Sequence, residues 1–207
     1  MIKLVYEFIG TFFLVLTVGM TVISPGAGPL APVAIGSILA VMVYAGGNIS
    51  GGHYNPAVSL AIYLRGKLTS RDLGGYWFSQ LAAAVVAAYT VLYFKGAPQL
   101  IPIDLDSSRV FLAEFLFTFA LAYVVLNVAT TSKSAGNSYY GGAIGFTVLA
   151  GAYAVGTVSG AAFNPAVALG ACVMSLTMWS QLWVFMVATM LGGAVAATVF
   201  KAAHPHE

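Results

Sequence analysis

The chain has 207 residues, of which 60% are hydrophobic and only 7% charged, whereas charged residues make up about 25% of a typical soluble domain. This composition excludes a water-soluble globular protein and predicts one that crosses a lipid bilayer several times. A net charge of +2 is too small for the strongly basic surfaces that bind nucleic acid, so we expect no nucleic-acid partner.

Six apolar stretches are long enough to cross the bilayer, because a spanning helix needs about 20 mostly apolar residues. In chain order they cover residues 4–23, 31–47, 74–94, 110–131, 139–157 and 179–200. Two shorter apolar stretches, from Pro56 to Leu64 and from Pro165 to Met174, follow the second and fifth spans. The sequence therefore predicts an all-α membrane protein with six transmembrane helices and two re-entrant half-helices, in one domain that covers residues 1–207.

Each half-helix begins with the same tripeptide, Asn55-Pro56-Ala57 in the first and Asn164-Pro165-Ala166 in the second. Asparagine is a favourable N-cap, and proline suits the first helical position because no partner is needed for its missing N–H. We expect irregular backbone before each tripeptide, from Gly47 to Tyr54 and from Gly156 to Phe163. Such backbone occurs at membrane depth only where it is buried in protein or lines a wet cavity. The two motifs therefore indicate a pore or transport site near the bilayer midplane.

The two motifs belong to an internal repeat. Their asparagines lie 109 residues apart (164 − 55), and 12 of the 25 residue pairs between 34–58 and 143–167 are identical. A looser match aligns Glu7 with Glu114. We expect two repeats, at about residues 1–95 and 109–201. Because each repeat contains three spans, the second is inverted in the membrane relative to the first.

The basic residues are distributed unequally between the two sides that this topology defines. Two of the eight, Lys95 and Arg109, fall on one side, and the other six fall opposite: Lys3, Arg65, Lys67, Arg71, Lys133 and Lys201. Lysine and arginine favour the cytoplasmic side of a membrane. We therefore predict a multi-pass protein of the cell membrane with both termini in the cytoplasm.

The repeated segments also predict what the site would accept. The N-terminus of each half-helix carries about half a positive charge, which disfavours cations where the two ends meet. The side-chain amides of Asn55 and Asn164 are hydrogen-bond donors, and the irregular segments offer backbone carbonyls as acceptors. An apolar wall opposite these groups would complete a path that suits small uncharged solutes and excludes cations and protons.

Glu7 and Glu114 are the only acidic residues within the spans, and a carboxylate at membrane depth is a functional candidate. A proton relay and structural support are both open; the repeat favours support, because each glutamate can accept the N–H groups of the irregular segment in its own half. His53 has no counterpart, since Ala162 occupies the matching position. For His53 we weigh a pH-sensitive gate against a hydrogen-bonded structural role and favour the second.

No combination of residues in the chain is typical of an enzyme. There is no Ser/His/Asp set, no Cys/His cluster with metal-ligand spacing and no phosphate-binding loop, and Cys172 is the single cysteine. We expect no enzymatic activity, no cofactor and no metal.

The doubled Asn-Pro-Ala box, the stretch SGGHYNPAV at residues 50–58 and a glutamate early in spans one and four resemble the aquaporin or major intrinsic protein family. The resemblance covers nearly the whole chain. It implies a homotetramer with one pore in each subunit. The implied function is a passive channel for water and small uncharged solutes such as glycerol, urea or ammonia, which excludes ions and protons at the paired boxes.

The same resemblance implies an outer selectivity filter formed by Ile35, Ala152, Ala161 and Val167. Members of the family usually have arginine where this chain has Val167, and an aromatic residue or histidine elsewhere in the filter. None of these residue types is present at the four positions. We therefore expect a channel that passes water together with at least one larger neutral solute, unless a residue from 96–108 narrows the filter.

Two other functions are compatible with inverted repeats and broken helices. A secondary transporter uses the same architecture but normally needs an ionisable group or ion site near the midplane, for which only Glu7 and Glu114 qualify. A structural or adhesion protein with a closed pore is the other alternative. Gradient-driven accumulation of a solute would identify the former, and a folded protein without solute flux would identify the latter.

Overall fold

The computed structural model describes all 207 residues as a bundle of eight helices. In chain order these are α1 (Ile2–Val22), α2 (Ala31–Gly46), α3 (Pro56–Leu64), α4 (Ser70–Phe94), α5 (Ser107–Thr130), α6 (Tyr140–Ser159), α7 (Pro165–Val173) and α8 (Leu182–Ala203). Six of them are long and apolar enough to cross a membrane, α2 together with the short helical turn before it (Gly28–Gly46, 19 residues), whereas α3 and α7 have nine residues each. The predicted fold class, six spans and two half-helices, is confirmed.

Two helices begin earlier than the predicted spans because polar residues cap them. Helix α4 begins four residues earlier than expected, because the Thr69 hydroxyl accepts the N–H of Asp72 at 3.1 Å. Helix α5 begins three residues earlier, because Asp106 accepts the N–H groups of Ser108 and Arg109 at 2.9 and 3.0 Å. Hydropathy marks the apolar part of a span, whereas N-caps extend the helix into polar sequence.

The two halves meet where α2 crosses α6 at matched glycines. Gly36 of α2 and Gly145 of α6 are 109 residues apart and face each other, and a Cβ on Gly36 would lie 2.7 Å from the Gly145 carbonyl oxygen. A side chain at either position would push the helices apart, since Cβ atoms do not approach oxygen this closely. Glycine therefore permits the close backbone contact that joins the halves.

Each half-helix packs against a spanning helix of the other half as well as its own. Helix α3 contacts α8, and α7 contacts α4. Gly193 of α8 makes room for α3, because a Cβ there would lie 2.5 Å from the carbonyl oxygen of Ala57. This packing places the N-terminal ends of α3 and α7 together in the interior, where Asn55 and Asn164 are each only 3% exposed.

Candidate functional site

Both half-helices begin at the asparagines that the sequence indicated. The Asn55 side-chain oxygen accepts the N–H groups of Ala57 and Val58 at 2.8 and 3.4 Å. The Asn164 side-chain oxygen accepts the N–H of Ala166 at 2.9 Å. Each asparagine thus satisfies N–H groups that would otherwise have no partner at the start of a buried helix.

The same two side chains connect the halves to each other. Asn55 Nδ2 donates to the carbonyl oxygen of Phe163, and Asn164 Nδ2 donates to that of Tyr54, both at 2.8 Å. A side-chain amide has two N–H groups, so each asparagine keeps one for a solute. The sequence indicated these amides as donors to a solute, and it did not indicate that one N–H of each joins the two halves.

The non-helical segments are shorter than predicted. Helix α6 continues through Ser159, and the N–H of Gly160 still donates to the carbonyl of Gly156 at 2.9 Å. In the first half the N–H of Gly51 donates to the carbonyl of Gly47 at 3.1 Å. The extended segments therefore span only residues 51–54 and 160–163, because the residues before them retain helical hydrogen bonds.

Both short segments have the same unusual backbone. Positive φ angles occur at three matched positions in each, at 94°, 63° and 48° in Gly51, Gly52 and Tyr54 and at 84°, 54° and 48° in Gly160, Ala161 and Phe163. Bulky residues rarely adopt this conformation, which costs about 1–3 kcal/mol at a residue. The surrounding structure must therefore hold these segments in place.

Two buried glutamates hold them. Glu7 accepts hydrogen bonds from the Ser50 hydroxyl at 2.7 Å and from the N–H groups of His53 and Tyr54 at 3.0 and 2.7 Å. Glu114 accepts the equivalent set, from the Ser159 hydroxyl at 2.7 Å and from the N–H groups of Ala162 and Phe163 at 3.0 and 2.6 Å. The hydrogen bonds expected from the sequence are thus present in both halves.

With its N–H groups turned towards the glutamate, each segment leaves carbonyl oxygens without a partner in the protein. The carbonyls of three consecutive residues in each half accept no hydrogen bond: Gly51, Gly52 and His53 in the first, and Gly160, Ala161 and Ala162 in the second. They are available to accept hydrogen bonds from a solute.

The first half adds polar contacts that the sequence analysis missed. Gln80 Nε2 donates to Glu7 at 2.8 Å and to the Ser59 hydroxyl at 3.0 Å, and Ser59 Oγ lies 3.1 Å from His53 Nδ1. The Tyr76 hydroxyl donates to the carbonyl of Ser50 at 2.5 Å. The only available signal was the presence of polar residues in otherwise apolar helices, since these contacts join separate elements.

The tips of α3 and α7 border a narrow cavity, which we call the central cavity. It has a volume of about 60 Å³, and its only polar side chains are His53, Asn55 and Asn164. A wider cavity of about 550 Å³ shares His53 with it and is lined by Lys3, Lys67 and Asp72; we call it the basic vestibule. A narrow passage thus opens into a wide, charged mouth at this end.

The other end of the central cavity opens into a mouth of different chemistry, the apolar vestibule, of about 330 Å³. All four candidate filter residues, Ile35, Ala152, Ala161 and Val167, line both the central cavity and this vestibule. The structure therefore brings the four together at the junction of the two spaces.

The segment at residues 96–108 contributes apolar side chains to this vestibule, through Ile103 and Leu105. Its acidic residues are engaged elsewhere, since Asp104 accepts a hydrogen bond from Gln181 at 3.2 Å and Asp106 caps α5. The Ser108 hydroxyl and the N–H groups of α5 lower the pKa of Asp106, so this cap stays ionised. No charged side chain of the segment lines the vestibule.

Two further residues lie away from the central cavity. The side chain of Arg65 is only 4% exposed and pairs with Glu207 at 3.3 Å, and its guanidinium lies 4.9 Å from the centre of the Phe200 ring. The charge on Arg65 is thus paired within the protein. Cys172 is buried and lines neither the central cavity nor the apolar vestibule.

The family model for "Major intrinsic protein" matches residues 1–200. The chain is 33% identical over 201 residues to "Putative aquaporin NIP4-1" of Arabidopsis thaliana, covering 92% of this chain and 70% of the relative. It is 35% identical over 183 residues to "Aquaporin TIP1-1" of the same plant, covering 86% and 72%. "Nodulin-26" of Glycine max is 32% identical over 209 residues, covering 96% and 76%.

Among solved structures, the X-ray structure of the aquaglyceroporin from Plasmodium falciparum has the same fold. The TM-score is 0.80 at 22% sequence identity, and the match covers 98% of this chain and 96% of that one.

Proposed function

Because the chain belongs to the major intrinsic protein family, we propose that its central cavity and two vestibules form the pore of a passive channel. The channel conducts water and small uncharged solutes across the membrane, and the protein is not an enzyme. Glycerol, urea and ammonia are the solutes that we would test first. The cavities lie end to end because consecutive ones share lining residues.

One observation carries the assignment of the pore: the two half-helix tips meet across the central cavity through Asn55 and Asn164. Each tip presents the positive end of a helix dipole and one free amide N–H, while carbonyls of residues 51–53 and 160–162 are available along the path. A solute that donates and accepts hydrogen bonds finds partners there, whereas a cation meets two positive helix ends. We infer that ions and protons are excluded at this point.

We also propose that Ile35, Ala152, Ala161 and Val167 form the outer filter. In support, all four line the junction between the central cavity and the apolar vestibule. We further propose that Glu7 and Glu114 support the pore by holding its irregular segments, and that His53 lines the end of the central cavity opposite the outer filter.

Replacing Val167 with arginine would add donors and a fixed charge. Val167→Arg should reduce the flux of glycerol or urea more than that of water, provided that size-exclusion chromatography first shows a folded variant.

The test is stopped-flow light scattering on proteoliposomes, with water, glycerol, urea and ammonia compared side by side. We expect protein-dependent water flux with a low activation energy, because an open path needs no conformational cycle, and flux of at least one larger solute. Flux that saturates at low solute concentration and rises steeply with temperature would instead indicate a carrier.

The structure offers no observation that favours the alternative, a secondary transporter. Glu7 and Glu114 are fully buried, and neither lines the central cavity or the vestibules. Each is occupied in accepting hydrogen bonds from its own segment. His53 is the only titratable side chain that lines the central cavity.

We propose further that the protein is a homotetramer in the cell membrane, with both termini in the cytoplasm. We treat residues 1–207 as a single domain with repeats at about 1–95 and 109–201. In support, Lys3 and Lys67 line the same vestibule, as the asymmetry of basic residues predicts. Native mass spectrometry tests the tetramer, and accessibility of single cysteines introduced near each terminus tests the orientation.

A further inference from the structure

We propose that Arg65 and Ser132 form a carboxylate-binding site beside the basic vestibule, and that Glu207 occupies this site as a ligand from the same chain. The site lies outside the central cavity, where the end of α3, the loop after α5 and the residues after α8 meet. It does not depend on which solute the pore passes.

Three donors converge on the Glu207 carboxylate. The Ser132 hydroxyl and N–H both donate to Oε1, the N–H at 2.9 Å, and Arg65 Nη2 donates to Oε2 at 3.3 Å. Hydrogen bonds to a charged acceptor are stronger than those between neutral groups. The donors of Ser132, together with the charge of Arg65, lower the pKa of Glu207, so its carboxylate is ionised at neutral pH.

Arg65 has no other carboxylate within pairing distance. Its side chain is only 4% exposed, and its further hydrogen bonds go to the main-chain oxygens of Glu207 at 3.0 Å and of Thr130 at 3.4 Å. Its Nε has no partner in the protein. Removing the partner of a buried charge is unfavourable, because the remaining charge has nothing to compensate it. Loss of the Glu207 carboxylate would therefore leave a site that attracts another anion.

The donors of the site are held by contacts that do not involve Glu207. The Phe200 ring, 1% exposed, packs against the guanidinium of Arg65. In the loop after α5, the hydroxyls of Thr131 and Ser134 both donate to the carbonyl of Asn127 at 2.9 Å. We therefore expect the site to keep its shape when the ligand is removed.

The residues after α8 are directed towards the site. The His204 ring stacks on that of Phe200, with the ring centres 4.4 Å apart, and the N–H of Glu207 donates to the carbonyl of His204 at 3.2 Å. This turn places Glu207 beside the same aromatic ring that covers Arg65.

A small solute can reach the site from the wide end of the proposed pore. Glu207 and Ser132 line a polar cavity of about 500 Å³, which shares Gly51 and Lys67 with the basic vestibule. Ser132 is exposed. A free carboxylate can therefore enter once the side chain of Glu207 has been removed.

Chemical rescue tests the site. Glu207→Ala removes a CH₂–carboxylate group that acetate can replace, so the variant should lose thermal stability in detergent and recover most of the loss in sodium acetate. The recovery should grow with acetate concentration, as for a ligand that binds only the folded protein. Sodium chloride at the same ionic strength should not restore the loss, because chloride lacks the two oxygens that reach both Arg65 and Ser132.

Three controls separate the site from a general effect of acetate. The unmodified protein should gain no more from acetate than from chloride, because Glu207 fills the site. The double variant Arg65→Met/Glu207→Ala lacks the guanidinium and should show no specific response to acetate. Asp106→Ala also removes a helix-capping carboxylate, but the side chain of Asp106 is 54% exposed and its neighbour Arg109 is exposed as well, so acetate should not rescue this variant.

If Glu207→Ala folds only in acetate, its loss from the size-exclusion peak on transfer to chloride reports the same site. An acetate response of Glu207→Ala no larger than the chloride response would overturn the inference, as would an equal response in the double variant. A Glu207→Ala protein as stable as the unmodified chain, or one that folds in neither salt, would also overturn it. None of these outcomes bears on the proposed channel, which solute flux tests separately.

Discussion

The segment that Glu7 holds and the segment that Glu114 holds share the same backbone hydrogen bonds but differ in the side chains around them. Each glutamate accepts one serine hydroxyl and two consecutive N–H groups, at distances that agree within 0.1 Å between the halves. Beyond this set, Glu7 also accepts a hydrogen bond from Gln80 Nε2. The same nitrogen donates to the Ser59 hydroxyl, which in turn contacts His53. Glu114 has no such fourth donor.

This difference shows which part of the repeat fixes the backbone and which part sets the chemistry of each mouth. The matched hydrogen bonds keep both segments extended, with their carbonyls available to solutes. The side chains around them are not matched, since His53 corresponds to Ala162 and Ser59 to Ala168. As a result, one end of the central cavity is bordered by a polar, charged vestibule and the other by an apolar one.

The largest expected effect comes from replacing the two glutamates with glutamine. A glutamine amide turns an NH₂ group towards donors, which leaves at least one buried donor unmet at a cost of about 1–3 kcal/mol. In both halves the N–H of Tyr54 or of Phe163 then loses its acceptor. Only in the first half does the new NH₂ group find an acceptor, because Gln80 Oε1 has no partner and the Gln80 amide can turn to accept from it. We expect Glu114→Gln to lower the thermal unfolding temperature in detergent clearly more than Glu7→Gln does.

Gln80 provides the control for that comparison. The double variant Glu7→Gln/Gln80→Leu removes the Gln80 acceptor for the new NH₂ group and should be destabilised at least as strongly as Glu114→Gln. Equal destabilisation by the two single variants would show that the additional contacts of the first half contribute nothing to holding its segment.

A second test concerns the asparagine hydrogen bonds, in which the two halves are alike. Asn55→Ala and Asn164→Ala each remove an N-cap and one cross-link between the halves, and loss of a cap alone costs about 0.5–2 kcal/mol. Because the two cross-links have the same length, the losses of thermal stability should be nearly equal. Asn→Ser at either position keeps a capping oxygen but removes the amide donor, and this separates the two contributions. Clearly unequal losses would mean that one tip depends less on the other.

A smaller effect is expected from His53→Ala, which makes the first segment resemble the second. Removing the imidazole widens the passage between the central cavity and the basic vestibule. The flux of glycerol or urea should rise by about twofold, in the range that modest changes of a binding pocket produce, while water flux changes less. The reverse substitution, Ala162→His, should lower the flux of the larger solute. Stopped-flow measurements on both variants test the pair, and a fall in flux with His53→Ala would contradict the expectation.

The smallest effect concerns the far end of α7. Cys172 is eight residues beyond Asn164, about two helical turns from the tip, and its side chain is buried outside the central cavity. Mercury should therefore block water flux only weakly, and Cys172→Ser should behave like the unmodified protein. Strong block that disappears in Cys172→Ser would place the thiol on the path.

The sequence predicted those features that depend on local chemistry or on the repeat. The starts of α3 and α7 follow from an asparagine cap and a proline, and the two glutamates stood out because both halves have one. The contacts of Gln80 with Glu7 and Ser59 were not predictable, because they depend on which face α4 turns towards α1 and α3. The ion pair of Arg65 and Glu207 joins residues 142 positions apart, and no local pattern signals it.

The reciprocal hydrogen bonds of Asn55 and Asn164 also bear on how the chain is made. Neither half-helix can complete its tip alone, because each asparagine donates to a carbonyl of the other half. A ribosome adds about 5–20 residues per second, so Asn164 emerges some 5–20 s after Asn55. During that interval the carbonyl of Tyr54 lacks its partner, and the first three spans must wait in the translocon or bilayer with the first tip unfinished. The pore is therefore assembled only after synthesis of the second half.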